Sequence, residues 1–169
     1  SEVGLILGLI TIVSSIIGTI LAGSAVDYLR NKNYSDAPVR AAMIAVMLAL
    51  PPIVTLSFVN SEIGAWVCIA LYLLFISSFA PLGLLAISGV STGSVKGQAA
   101  AIHAFLMMAF GLSLGPQLTA FFTDYIFADP NLLINSISLS GLIVLPISAL
   151  LFRISLTRYR ESSEKLKII

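Results

Sequence analysis

GSAVDYLRNKNYSDAPVR, residues 23–40, is the interior stretch of this 169-residue chain in which charge concentrates: Asp27, Arg30, Lys32, Asp36 and Arg40 lie within it. One apolar segment ends near Val26 and another starts near Ala41. The stretch therefore reads as a tight polar connection between two apolar helices at a membrane surface, and the remaining segments arrange themselves outward from it.

Composition sets the class. Hydrophobic residues make up 58% of the chain, charged residues 10%, and the mean hydropathy is +1.03. That leaves too little polar surface to clothe a soluble core of this size, so an integral membrane protein is expected. Hydrocarbon offers backbone groups no water to bond, so spanning elements must be helices or a closed barrel. The continuous apolar runs lack the alternation a barrel wall needs. The expected fold is all-α, a polytopic bundle of transmembrane helices. A net charge of +1, with no basic cluster interleaved with stacking aromatics, argues against a nucleic-acid partner. The single cysteine, Cys68, lies in an apolar run as a small packing residue, from which neither a disulfide framework nor a thiolate metal site can be built. No cofactor or metal is expected.

A helix needs about 20 apolar residues to cross the hydrocarbon core. Five segments qualify: Gly4 to Val26, Ala41 to Val59, Ile63 to Val90, Ala99 to Phe122, and Leu132 to Ile154. Residues 156–169 then form a polar tail. Arg30, Lys32 and Arg40 flank the first connection, Lys96 sits in the third, and Arg153, Arg158, Arg160, Lys165 and Lys167 follow the last span. The second and fourth connections hold no base, only Glu62, Asp124 and Asp129. Positive charge marks the cytoplasmic side, which places the amino end outside and the carboxyl tail in the cytoplasm, in a plasma (inner) membrane. The chain opens with Ser1 and is apolar by Val3, without a basic leader and cleavage site, so a signal peptide is not expected and a preceding segment is. Asp36 or Ser35, with Pro38 following, fits an N-cap of the second helix, and Asp129 before Pro130 fits that of the fifth.

At 100° per residue, Gly4, Gly8, Thr11, Ser15, Gly18 and Ala22 share one stripe of the first span, while Ile6, Leu9, Val13, Ile16, Ile17 and Ile20 crowd the opposite side. Small residues let backbones approach and isoleucines suit lipid, so the stripe either packs on a neighbour or borders a pathway. Every other span contains proline: Pro51 and Pro52, Pro81, Pro116, and Pro146. Local kinks or breaks are expected there. In the fourth span His103, Phe110 and Gln117 align, with Ala104, Gly111 and Gly115 about a quarter turn away. Gly111 and Gly115 read as a close-packing face. His103 is either an imidazole bonded to neighbouring backbone or a group that binds substrate or couples protons.

Apart from the boundary residues Asp27, Arg40 and Arg153, the spans hold no Asp, Glu, Lys or Arg, which disfavours charged channel rings and carboxylate relays. Carboxylate pairs, HExxH, GxSxG and phosphate loops are missing too, so an enzyme is not expected. Asp27, read at the C-terminal end of a helix, faces the negative end of the dipole and needs a partner in Arg30 or on a neighbouring helix.

Gly23-xxx-Asp27 followed by Arg30 and Lys32 resembles the motif that the major facilitator superfamily carries after its second helix and repeats, more loosely, after its eighth. SVKGQAAA, Ser94 to Ala101, resembles that family's entry to its eleventh helix, GLSLGP, Gly111 to Pro116, falls at the corresponding depth, and FFTDYIFADPNLL, Phe121 to Leu133, looks like its last external turn. The turn and the GLSLGP region are most similar to the spinster-like and organic-anion-type branches. The chain departs from the stricter motif at Tyr28, Arg30 and Asn31, which suits the looser second copy. The resemblance implies that these are helices eight to twelve of a twelve-helix secondary transporter, partnered by the missing amino-terminal half. It implies a cytoplasmic gating turn at Gly23, Asp27 and Arg30. It further implies that the first, third and fourth spans face a cavity for a small organic solute, offering Thr11, Ser15, Tyr72, Ser77, His103 and Gln117, while the second and fifth spans are peripheral. The alternative is a non-transporting scaffold that binds partner helices through its small-residue faces.

Overall fold

The computed structural model describes residues 2–91, 93 and 95–167. Ser1, Thr92, Ser94 at the head of SVKGQAAA, and Ile168 and Ile169 at the end of the tail lie outside the described residues. Among those described, all regular structure is helical, and five segments are long and apolar enough to cross a membrane: Glu2–Asn31, Ala37–Phe58, Glu62–Val90, Val95–Phe127 and Pro130–Ser163. They overlap the spans expected from hydropathy and mostly run further, because hydropathy marks only the stretch that hydrocarbon would cover.

The first span is one helix, α1 (Glu2–Asn31). Its end is set by local chemistry. Asn33 takes the left-handed conformation, φ 62°, and donates its N–H to the Arg30 carbonyl at 2.8 Å, while the Tyr34 N–H reaches the Leu29 carbonyl at 3.1 Å. This is a Schellman closure with asparagine in the place glycine usually takes, and it satisfies carbonyls that would otherwise be left without donors. Because α1 continues past Val26, Asp27 stands a full turn inside the helix rather than at its end. It is exposed and makes no ion pair among the described residues, with Arg30 or with any neighbour. The expectation of a required partner fails because it depended on the helix stopping sooner.

Asp36 instead carries the electrostatics of this turn. It is the residue before α2 (Ala37–Thr55), with Pro38 in the first turn, yet its side chain makes no capping bond. The carboxylate is fully buried, and one of its oxygens lies 3.2 Å from Arg40 Nη2 and 2.9 Å from Arg160 Nε. Its position at the positive end of the α2 dipole adds a favourable field. With Arg40 Nε donating to the other oxygen at 3.4 Å, three charge-assisted bonds and that field offset the cost of taking a carboxylate out of water. Arg160 belongs to α7 (Leu133–Lys167), so residues read as a tail continue the last helix and are tied to the first connection.

α2 is the central element. Ala37, Ala41 and Ala42 pack with Ala22, Val26 and Leu29 of α1, while Val46, Ala49, Ile53 and Leu56 pack with Leu145 of α7. Its alanines let neighbouring backbones close in, and on α7 Gly141 does the same, since a Cβ there would strike Ile53. Of the apolar window of the second span 44% is buried, against none for the fourth, so within this chain the second span is enclosed and the fourth is open.

The prolines act unequally. Pro51 and Pro52 sit inside α2, which then tightens into the 3-10 turn Leu56–Phe58. Upstream of Pro81 the third span divides into α3 (Glu62–Ile76) and α4 (Phe79–Val90). The fourth runs α5 (Val95–Leu106), a π turn Met107–Leu112, α6 (Ser113–Phe121) and a second π turn Phe122–Phe127. The first π turn ends at the residue whose carbonyl loses its α-helical donor to Pro116. α7 is one continuous helix through Pro146, which stands on an exposed side of it. Asp129 meets its expectation: its carboxylate accepts from the Asn131 N–H at 2.9 Å and opens the 3-10 turn Pro130–Leu132.

The charge cluster yields a ranked prediction. Asp36→Ala leaves two guanidinium groups facing each other and should cost about 3 kcal/mol of stability. Arg160→Gln, at a side chain 46% exposed and with Arg40 still in place, should cost about 1 kcal/mol. Unfolding of both variants in mixed micelles checks the order; equal effects would contradict the buried-carboxylate account.

Candidate functional site

The break in the third span is built from Ser77 and Ser78. The Ser78 hydroxyl donates across to the Gly18 carbonyl of α1 at 3.1 Å, and the Ser77 hydroxyl donates to Leu74 at 3.0 Å and to Ser14 at 3.4 Å. Gly18 is required here, since a Cβ would run into the Leu74 carbonyl and the Ser77 hydroxyl. α1 therefore buries Ser14, Gly18, Ala22, Val26 and Leu29, and the packing side of its small stripe is its later half. Gly4, Gly8 and Thr11 are exposed, and the Thr11 hydroxyl turns back to the Leu7 carbonyl at 2.7 Å. Ser15 is half-buried.

A cavity of about 730 Å3 lies among the second, third, fourth and fifth spans. Its floor toward α2 is Val39, Ala42 and Val46; α3 and α4 contribute Tyr72, Ile76, Leu82 and Gly83. The fourth span presents His103, Met107, Gly111, Gly115 and Thr119, and α7 presents Ile137, Ser140, Val144 and Ser148. Among the described residues, no Asp, Glu, Lys or Arg lines it. Its polar points are the hydroxyls of Tyr72, Thr119, Ser140 and Ser148 and the imidazole of His103. The Thr119 and Ser140 hydroxyls stand 3.5 Å apart, linking the fourth span to α7. The wall can thus embrace an apolar body and hydrogen-bond a few polar points on it.

His103 is the most distinctive of these groups. Its Nε2 is buried and has no hydrogen-bond partner among the described residues. The ring fits only because position 83 is glycine, where a Cβ would meet the imidazole. An unpaired buried polar atom costs free energy, and this one is packed against Gly83 while the rest of the ring borders the cavity.

Of the six cavity residues offered by the resemblance, this cavity unites Tyr72 and His103. Thr11 and Ser15 stand on α1, which contributes no lining residue; Ser77 is turned to α1; and Gln117 is exposed. Gly111 and Gly115, read as a packing face, border the cavity, and a Cβ at either would meet nothing within 4 Å. The π turn explains the altered faces. A wider turn advances less than 100° per residue, so residues spaced by four from His103 through Met107, Gly111 and Gly115 to Thr119 share a side, and Gln117 leaves it. Thr119, Ser140 and Ser148 were missed by sequence reasoning. Their signal is present: Thr119 extends the Gly111 and Gly115 spacing, and Ile137, Ser140, Gly141, Val144 and Ser148 recur at helical intervals.

The residues of the implied gating turn do not converge: a Cβ at Gly23 would meet nothing within 4 Å, Asp27 is exposed, and Arg30 lines a separate cleft of about 450 Å3 with Asn33, Tyr34, Ser35, Gly89, Tyr159 and Ser163. Lys32 lies over the Tyr28 ring, 4.5 Å from its centroid, and that phenol raises the ammonium pKa above its ordinary value. Comparison of the chain with protein-family models, curated proteins and solved structures finds no match.

Gly83→Ala should displace the imidazole without adding charge. The 15N resonances of His103, followed in detergent-solubilised protein, should shift, whereas Gly111→Ala, with open space at its Cβ, should leave them in place. A Gly83→Ala spectrum superimposable on wild type would refute the close fit.

Proposed function

We propose that this chain is the carboxyl-terminal part of a secondary active transporter that moves a small organic solute across a membrane by alternating access. The observation that carries the reading is the cavity of about 730 Å3 walled by interrupted helices, with the His103 ring in its wall. Broken and π-turned spans free backbone from strict helical geometry beside a site and supply places where a wall can bend. A chain that only anchored itself would need neither. An amino-terminal half supplies the opposing bundle, and the open faces of the first and fourth spans are where it would rest.

Sidedness follows from charge. The first connection and the end of α7 share one end of the bundle through Asp36 and Arg160, and the Tyr159 hydroxyl joins α7 to the Ala86 carbonyl near the end of α4 at 3.1 Å. That end collects the basic connections, and we assign it to the cytoplasm, with the amino end outside, in a plasma (inner) membrane. Gating by Gly23, Asp27 and Arg30 needs the opposing bundle, since these residues engage nothing in common within this chain.

The full-length protein in proteoliposomes provides the test. In a Cys68→Ala background, Thr119→Cys should react with a membrane-impermeant thiol reagent, and a transported solute should slow the reaction. His103→Ala, which removes a ring from the cavity wall, should lower kcat/KM about tenfold. Labelling that no solute alters, together with no solute flux, would favour a scaffold that uses its open small-residue faces to bind partner helices.

A further inference from the structure

The second cleft, at the end of the bundle that carries the basic connections, is unlike the solute cavity in its chemistry. Arg30 stands on its wall beside Asn33, Tyr34 and Ser35, and α7 adds Tyr159 and Ser163. Among the described residues, almost every lining side chain can donate a hydrogen bond, and none is a carboxylate. Gly89 completes the wall, where a Cβ would meet the Tyr159 hydroxyl. The Schellman closure fixes the backbone from which the Arg30 and Asn33 side chains project.

The charge next to the cleft is also unbalanced. Asp36 is a single carboxylate shared by Arg40 and Arg160, which leaves one positive charge over. Arg30 adds another and makes no ion pair among the described residues. Asp27 and Glu161, on the same helices, are exposed and do not line the cleft. A cleft lined by a guanidinium and several neutral donors suits a phosphate group, which offers several acceptor oxygens to planar donors.

We infer that this cleft binds a phosphate-bearing anion, carried either on a lipid headgroup or free in solution, with Arg30 as its charged contact. Tyr34, Ser35 and Ser163 supply neutral hydrogen bonds. The ligand joins the first connection to α7 at the place where Asp36 and Arg160 already meet, so its binding stabilises the same junction by mass action. The inference is independent of the transport reading, because it concerns a site at the bundle end and needs no solute flux.

The full-length chain is reconstituted in phosphatidylcholine nanodiscs with and without phosphatidic acid, and inorganic phosphate is titrated separately into discs of phosphatidylcholine alone. The readouts are Tm and retention of the lipid on the protein by native mass spectrometry. Phosphatidic acid should raise Tm and be retained, and Arg30→Gln should weaken its apparent affinity about tenfold. A response to phosphatidic acid alone assigns the site to a lipid headgroup; a matching response to inorganic phosphate assigns it to a soluble anion. Wild-type protein that responds to neither probe, or Arg30→Gln that responds as wild type does, overturns the inference. Should Arg30→Gln fail to insert, Ser163→Ala carries the same comparison, with a loss of about threefold expected and an unchanged affinity overturning the proposal.

Discussion

A carboxylate withdrawn from water between two guanidinium groups ties the two ends of this chain's basic side together. Asp36 is fully buried, and its contacts come from Arg40, one turn ahead on α2, and from Arg160, far along the sequence on α7. Neither arginine is fully buried, so the arrangement leaves each cation partly hydrated while the anion is wholly enclosed. The consequences run through the fold. α7 is held to the start of α2 over its last turns, Tyr159 is placed to reach α4, and a cleft is framed between the first connection and α7.

The bilayer imposes the other constraint, that backbone groups find partners within the protein. The chain meets it locally wherever helix geometry fails. Ser77 and Ser78 place hydroxyls on carbonyls of α1 and of their own helix at the break between α3 and α4. Thr55 donates to the Pro51 carbonyl at 2.9 Å where α2 tightens. Before Pro116 the ladder widens into a π turn instead of breaking. These adjustments turn the third and fourth spans into curved walls, and the space they enclose against α2 and α7 is the cavity that holds His103.

Much of the architecture could be read from the chain alone. Uninterrupted apolar runs separated by polar turns required helices, and Asp129 before Pro130 announced its turn, because these features depend on neighbours in sequence. The cavity was legible in part. His103 and Tyr72 stood out as polar groups within apolar spans, but Gln117 and Ser77 did so equally, and the structure sends them elsewhere. A helical wheel drawn at constant pitch cannot register a π turn, and it was the π turn that brought Gly111, Gly115 and Thr119 round to His103. Asp27 misled for a related reason. Its hydropathic boundary, Val26, falls short of Asn31, where α1 ends, and the Asn33 closure that sets this end is a backbone conformation.

Taken by itself, the amino-acid sequence determined that the chain is all-helical, with five segments able to span a membrane and basic residues confined to alternate connections, since hydropathy and charge act locally and add along the chain. Tertiary structure decided which charge matters and which polar groups meet. The stretch from Gly23 to Arg40 contains Asp27 and Asp36, similar in type and spacing to nearby bases. Packing distinguishes them, because a buried carboxylate needs cations brought from several directions, and the distance in sequence from Asp36 to Arg160 hides that second meeting until the helices are packed.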